Sequence, residues 1–146
     1  MAKQLKQAAD EIAIACLASH TRLLGRVVTG IYDDALRNVG LTSAQMTILV
    51  ALEHTGGVQP AALCDALKLD KSTLSRNVDR MERNGWIEKQ PGADARSHSL
   101  QLTEAGRAKF AEAIPYWRVA QAAAEETLGK GGMDTLYKVS KRLRGF

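Results

Sequence analysis

Ser72-Thr73-Leu74-Ser75-Arg76-Asn77-Val78-Asp79-Arg80-Met81-Glu82-Arg83-Asn84-Gly85-Trp86-Ile87 is the stretch on which the fold turns. Leu74, Val78 and Met81 recur at i, i+4 and i+7, which puts them on one face of a helix. Ser72, Arg76, Asp79 and Arg83 fall on the opposite face, flanked by Ser75 and Arg80. Asp70 stands where an N-cap belongs and Gly85 where a helix stops, so a helix is predicted over residues 71–84. An inward apolar stripe with hydroxyls and arginines outward suits a helix that enters a DNA groove. Hydroxyls and a helix N-terminus hold phosphates, and a guanidinium fork matches O6 and N7 of guanine. Alone, the pattern also describes any solvated amphipathic helix.

The neighbours decide. Upstream, Gln59-Pro60 opens a short helix through Leu63, Cys64 and Leu67, with proline at the first helical position, where it costs nothing. The tight turn Lys68-Leu69-Asp70 joins it to the arginine-bearing helix. Downstream the period changes. Residues 86–90 and 97–103 are strand-like, with Leu100 and Leu102 alternating with Ser99 and Gln101. Between them Pro91-Gly92-Ala93-Asp94-Ala95-Arg96 makes a turn-rich hairpin tip. Two short helices, a tight turn and a hairpin form a winged helix-turn-helix.

This run, followed by Asp94-Ala95-Arg96-Ser97 and Leu100-Gln101-Leu102-Thr103-Glu104-Ala105-Gly106, resembles the MarR family of bacterial transcription regulators. That family's signature has the same order: a Ser…Thr/Ser-Arg helix ending in Gly, a wing with Asp-x-Arg, and a Leu-x-Leu-Thr-x-x-Gly exit. The long flanking helices and Gly40-Leu41-Thr42…Gln45 also fit. The resemblance implies a homodimer on double-stranded DNA bearing a pseudo-palindromic operator, most simply a repressor released by a small-molecule effector or an oxidant. It assigns DNA contacts to Ser72, Thr73, Ser75, Arg76 and Arg80 in the major groove. Arg96, at the wing tip, is expected in the minor groove, oriented by Asp94. A narrow minor groove has an intensified negative potential that attracts a guanidinium, which supports the Arg96 role independently.

The expected fold is mainly α with a small β-hairpin wing, forming one domain over residues 1–146. Residues 41–103 make the winged module, and residues 1–40 and 104–146 make long dimerisation helices. Over residues 5–38 apolar side chains at helical intervals predict one long or slightly bent helix. Thr42-Ser43-Ala44-Gln45 fits a capping box, with Leu41 and Met46 as hydrophobic staple. The helix it starts is expected to turn Met46, Leu49, Val50 and Leu52 inward and to end at Gly56-Gly57. Thr103 caps a long helix whose Phe110, Ile114, Trp117, Ala124 and Leu128 form a seam, kinked at Pro115. Residues 129–132, Gly-rich, break the chain before a last helix. Such stripes exceed what a small module can cover, and a two-fold partner would bury them.

Composition narrows the class. The chain has 146 residues, 45% hydrophobic and 25% charged, like an average globular domain, which excludes a disordered or collagen-like chain. A net charge of +4 is compatible with a polyanion but names none. The longest apolar stretch, near residues 12–18, is framed by Asp10, Glu11, His20 and Arg22, unlike a secretory segment. A cytoplasmic protein with reduced Cys16 and Cys64 is therefore expected. Cys16 and His20 lie at i, i+4, too few ligands for a structural zinc, and no metal or cofactor is expected. Cys16 is expected in the dimer seam and His20 at its margin. Cys16 is also a candidate redox thiol, since some relatives sense peroxide through an N-terminal-helix cysteine. Trp117 is a candidate effector-pocket residue, weighed against dimer core. No Ser/His/Asp or Cys/His grouping for catalysis is evident, which argues against an enzyme.

Overall fold

A computed structural model describes residues 1–92 and 97–144. Asp94 and Arg96, assigned above to DNA contacts, lie outside the described residues.

The N-terminal region differs from the expected single helix. It consists of α1 (Ala2–Ala15) and α2 (Leu17–Leu36), broken at Cys16 (φ −71°, ψ 100°), with a 48° bend between them. No proline or glycine stands at the break, so periodicity carries no trace of it. Local polar bonds hold it instead. Cys16 N–H donates to the Ile12 carbonyl at 2.9 Å, and the N–H groups of Ser19 and His20 donate to the Cys16 carbonyl. His20 Nε2 lies 2.9 Å from the Ile14 carbonyl and partners a group that the interrupted ladder leaves free. None of the described residues of α1 is buried.

A 3-10 turn (Arg37–Val39) ends at Gly40, whose positive φ of 69° allows the stop. The capping box then forms as expected: Gln45 N–H donates to Thr42 Oγ1, and Thr42 N–H donates to Gln45 Oε1. It starts α3 (Ser43–Thr55), where Met46, Ile48, Leu49 and Leu52 are buried together with Leu41. Val50 is not inward; it is 45% exposed, on the rim of a cavity described below, and Ile48 takes the core position.

The helix-turn-helix is α4 (Pro60–Leu67) and α5 (Lys71–Arg83), joined through Lys68 in the left-handed region. Leu74, Val78 and Met81 are buried as predicted, each contributing about 1.5–3 kcal/mol. The antiparallel wing pairs β1 (Ile87–Pro91) with β2 (His98–Leu102), Ile87 opposite Leu102 and Pro91 opposite His98. Pro91 therefore ends a strand rather than starting the tip. Val58 adds an isolated antiparallel bridge to Leu100, tying the approach to α4 to the wing.

The last element, α6 (Glu104–Arg144), continues through Pro115. Its one non-helical residue is Gly129 (φ 69°, ψ 158°), which divides it into a proximal limb, 104–128, and a distal limb, 130–144. Of the expected seam, Ala124 is buried, together with Ala113 and Ala120, whereas Trp117 is 38% exposed. Small side chains let the helix lie close to its neighbours, and the larger ones border a cavity instead.

Candidate functional site

The exposed face of α5 begins at Asp70, the N-cap. Its Oδ1 accepts from Ser72 Oγ at 2.5 Å and from Thr73 N–H at 2.9 Å, and its Oδ2 accepts from Thr73 Oγ1 at 2.6 Å. Bonds from the Ser72 hydroxyl, then the Thr73 hydroxyl and N–H, hold the Asp70 carboxyl well below the usual carboxylate range. In this arrangement both hydroxyl protons are committed to Asp70, and each oxygen keeps lone pairs as acceptors. Arg76 Nη2 lies 3.5 Å from Thr73 Oγ1, at the outer limit of a hydrogen bond. Ser72, Ser75, Arg76, Arg80 and Arg83 are exposed, and Thr73 is half-buried. Among the described residues no carboxylate lies within ion-pair distance of Arg76, Arg80 or Arg83. The nearby Glu82 is engaged by Lys89 at 2.7 Å. The result is a cationic helix face anchored by an apolar stripe.

Beside it, a hollow of about 530 Å³ separates α4, α5 and the wing, with Lys71, Ser75 and Lys89 at its edge and Cys64 and Leu74 in its wall. Cys64 is buried core, as expected.

A larger cavity, about 780 Å³, lies between α2, α3 and α6. Tyr32, Met46, Phe110, Ile114 and Trp117 supply apolar and aromatic wall, and Thr29, Ser43, Thr47 and Arg118 supply polar groups. Trp117 borders the cavity, whereas Tyr116 packs on the core. Tyr32 and Arg118 were not singled out from the sequence. Arg118, beside Trp117, was open to suspicion, but nothing local connects Tyr32 to them. The Tyr32 hydroxyl donates to Gln121 Oε1, and Gln121 Nε2 donates to the Tyr137 hydroxyl at 2.7 Å. Burial, and then the neighbouring Tyr137, pushes the Tyr32 phenol above its ordinary pKa, so it remains a proton donor.

Cys16 and His20 line neither hollow; the His20 N–H donates to the Cys16 carbonyl in the first turn of α2, while His20 Nε2 is engaged with the Ile14 carbonyl. Among the described residues no cluster of three metal-ligating side chains occurs. Cys16 is half-buried at the N-terminus of α2, and bonds from Ser19, first its hydroxyl and then its N–H, lower the thiol's pKa.

The short turn, the buried stripe of α5 and the paired hairpin behind it define a winged helix-turn-helix protein. The sequence model of the MarR family matches residues 39–97. The transcriptional regulator MOSR of M. tuberculosis, solved with DNA, is 30% identical, with 88% of this chain and 98% of that one covered at a TM-score of 0.71. This chain belongs to the MarR family. A mutant MarR from E. coli, solved with operator DNA, shares the fold at a TM-score of 0.79 and 21% identity, covering 91% of this chain and 96% of that one. PecS of Dickeya dadantii is 32% identical over 78 residues, 51% of this chain and 47% of PecS. The chain spans about half to two thirds of the length of the curated relatives it matches.

Proposed function

We propose that this chain is a sequence-specific DNA-binding transcription regulator, a cytoplasmic homodimeric repressor that leaves its operator when a small molecule occupies the α2–α3–α6 cavity. The observation that carries it is the outward face of α5, where Arg76, Arg80 and Arg83 have no carboxylate within ion-pair distance among the described residues and stand above a buried apolar stripe. Support also comes from relatives named as transcriptional regulators and from those solved with DNA. Regulation of this kind requires no catalytic groups, and the chain is not an enzyme.

In this reading α5 lies in the major groove. Arg76 and Arg80 reach base edges or phosphates, and Ser75 and the first N–H groups of α5 hold phosphate. Ser72 and Thr73, whose hydroxyls donate to Asp70, accept from exocyclic base amines. Arg96, with Asp94, serves the minor groove. Aromatic walls beside the Arg118 cation suit an aromatic carboxylate as effector.

Selection of duplexes from a random pool, followed by gel shift at several salt concentrations, tests the regulator reading. A pseudo-palindromic consensus bound with steep salt dependence is expected. Failure to enrich any sequence overturns it. Quenching of Trp117 fluorescence by benzoate or 4-hydroxybenzoate, with loss of the shifted band, is expected for the effector.

One observation favours a second reading, release by oxidation of Cys16: its half-buried position at a helix N-terminus, where bonds from Ser19 lower the thiol's pKa. Release by peroxide in the wild type but not in Cys16→Ser would favour it over the cavity. Equal behaviour of the two proteins would discard it.

A further inference from the structure

The distal limb of α6 is attached to the rest of the chain at few points. Gly129 holds a positive φ, a Cβ placed on Gly129 or Gly131 would meet nothing within 4 Å, and one on Gly132 would reach only the Leu128 side chain at 3.5 Å, so packing at the hinge constrains the limb's angle little. Met133 is its one buried side chain among the described residues, and Val139 and Leu143 are exposed. The limb's polar tie to the proximal limb is the hydrogen bond from Gln121 to the Tyr137 hydroxyl. The other end of the Gln121 amide is held by Tyr32, which lines the cavity.

An amide satisfied at both ends has one favoured orientation. If the Tyr32 hydroxyl moves, Gln121 loses the acceptor contact that orients it, and the bond to Tyr137 loses its geometric support. We propose that Tyr32, Gln121 and Tyr137 form a relay that makes the angle of the distal limb about Gly129 depend on what fills the α2–α3–α6 cavity. Tyr32 is the sensing residue, Gln121 the positioning residue, and Tyr137 the handle on the limb. The inference rests on the cavity as effector site. It adds the route by which occupancy reaches the apolar surface of the distal limb, which a second subunit would cover. Empty, the cavity leaves Tyr32 bonded and the limb held. Filled, it displaces the Tyr32 ring and releases the limb, a change between two arrangements of one hinged element.

The test uses the full chain and needs no identified effector. Ala44, an exposed residue that lines the cavity from α3, is replaced by tryptophan as a permanently bound aromatic group. Hydrogen–deuterium exchange is followed at the amides of residues 133–143 in wild type, Ala44→Trp, Gln121→Leu and the double variant. Each single change is expected to speed exchange there by about 3- to 10-fold, the effect of losing one or two hydrogen bonds, with residues 71–83 unchanged. The double variant is expected to match the singles, because both act through one relay. Thr47→Phe, filling the same cavity from one turn further along α3, repeats the test if Ala44→Trp does not fold. Unchanged exchange in the filled variants, or additive effects in the double variant, overturns the relay. If benzoate and 4-hydroxybenzoate fail to quench Trp117 while the exchange cycle behaves as expected, the effector assignment fails and the relay stands.

Discussion

Arg76 is exposed and projects from the face opposite the buried Leu74 and Val78. A bidentate guanidinium is worth about 1–3 kcal/mol of discrimination at the base it contacts. Arg76→Ala is therefore expected to bring selected and scrambled duplexes closer in affinity by that amount, measured by competitive gel shift. Asp70 acts one step back, by holding the Ser72 and Thr73 hydroxyls. Its folded-state pKa is depressed, so its contribution to stability is fully present above the ordinary aspartate pKa, about 4. The contribution is lost as pH falls from there toward the lower folded value. Urea midpoints taken at descending pH below about 4 are expected to fall less steeply in Asp70→Asn than in the wild type. The exposed identities of Ser72, Ser75, Arg76 and Arg80 were legible from helical spacing. The commitment of two hydroxyl protons to Asp70 was not, because an N-cap signal says which residue caps and not which side chains it also draws in.

The three elements that meet at Trp86 show why the exit motif has its spacing. The Trp86 carbonyl accepts from Thr103 N–H at 3.1 Å, Thr103 Oγ1 donates to the Gly85 carbonyl at 2.6 Å, and Gly106 N–H donates back to Thr103 Oγ1. A Cβ on Gly106 would lie 2.0 Å from the Trp86 carbonyl oxygen, so the first turn of α6 presses directly on the wing's base. Lys109 seals the contact, its ammonium 5.4 Å from the Trp86 ring centre and 3.2 Å from the Val39 carbonyl. Gly106→Ala must push these backbones apart, and it is expected to destabilise the chain by about 1–3 kcal/mol in thermal or urea unfolding. Thr103 as a cap was legible from sequence. The need for Gly106 was not, since Gly in a helix interior is ordinarily a cost and its justification comes from an element 20 residues earlier in the chain. The break at Cys16 escaped for the converse reason. Its apolar spacing continues in phase across the bend, and the bonds that hold it involve Ser19 and His20 rather than any helix breaker.

Across the whole molecule the apolar surface is concentrated at the ends of the chain, with Ile12, Ile14, Leu17, Val119 and Leu143 all more than half exposed. Sedimentation is expected to show a dimer, and Leu17→Asp with Leu143→Asp to shift it toward monomer. A monomer brings half the cations to DNA, so the slope of log affinity against log salt is expected to fall to about half in that variant. Arg96→Ala, which removes two cations per dimer, is expected to shrink the slope by up to about two units while leaving major-groove preference unchanged. The sequence by itself determined the helix-turn-helix, the wing and the capped start of α3, because periodicity, N-caps and turn glycines act over a few residues and each agreed with the next. The tertiary structure decided the cavity, the hinge at Gly129 and the bend at Cys16. The cavity wall draws on α2, α3 and α6, and the bond that links Tyr32 to Gln121 spans 89 positions, a separation at which local patterning carries no information and packing alone determines which side chains meet.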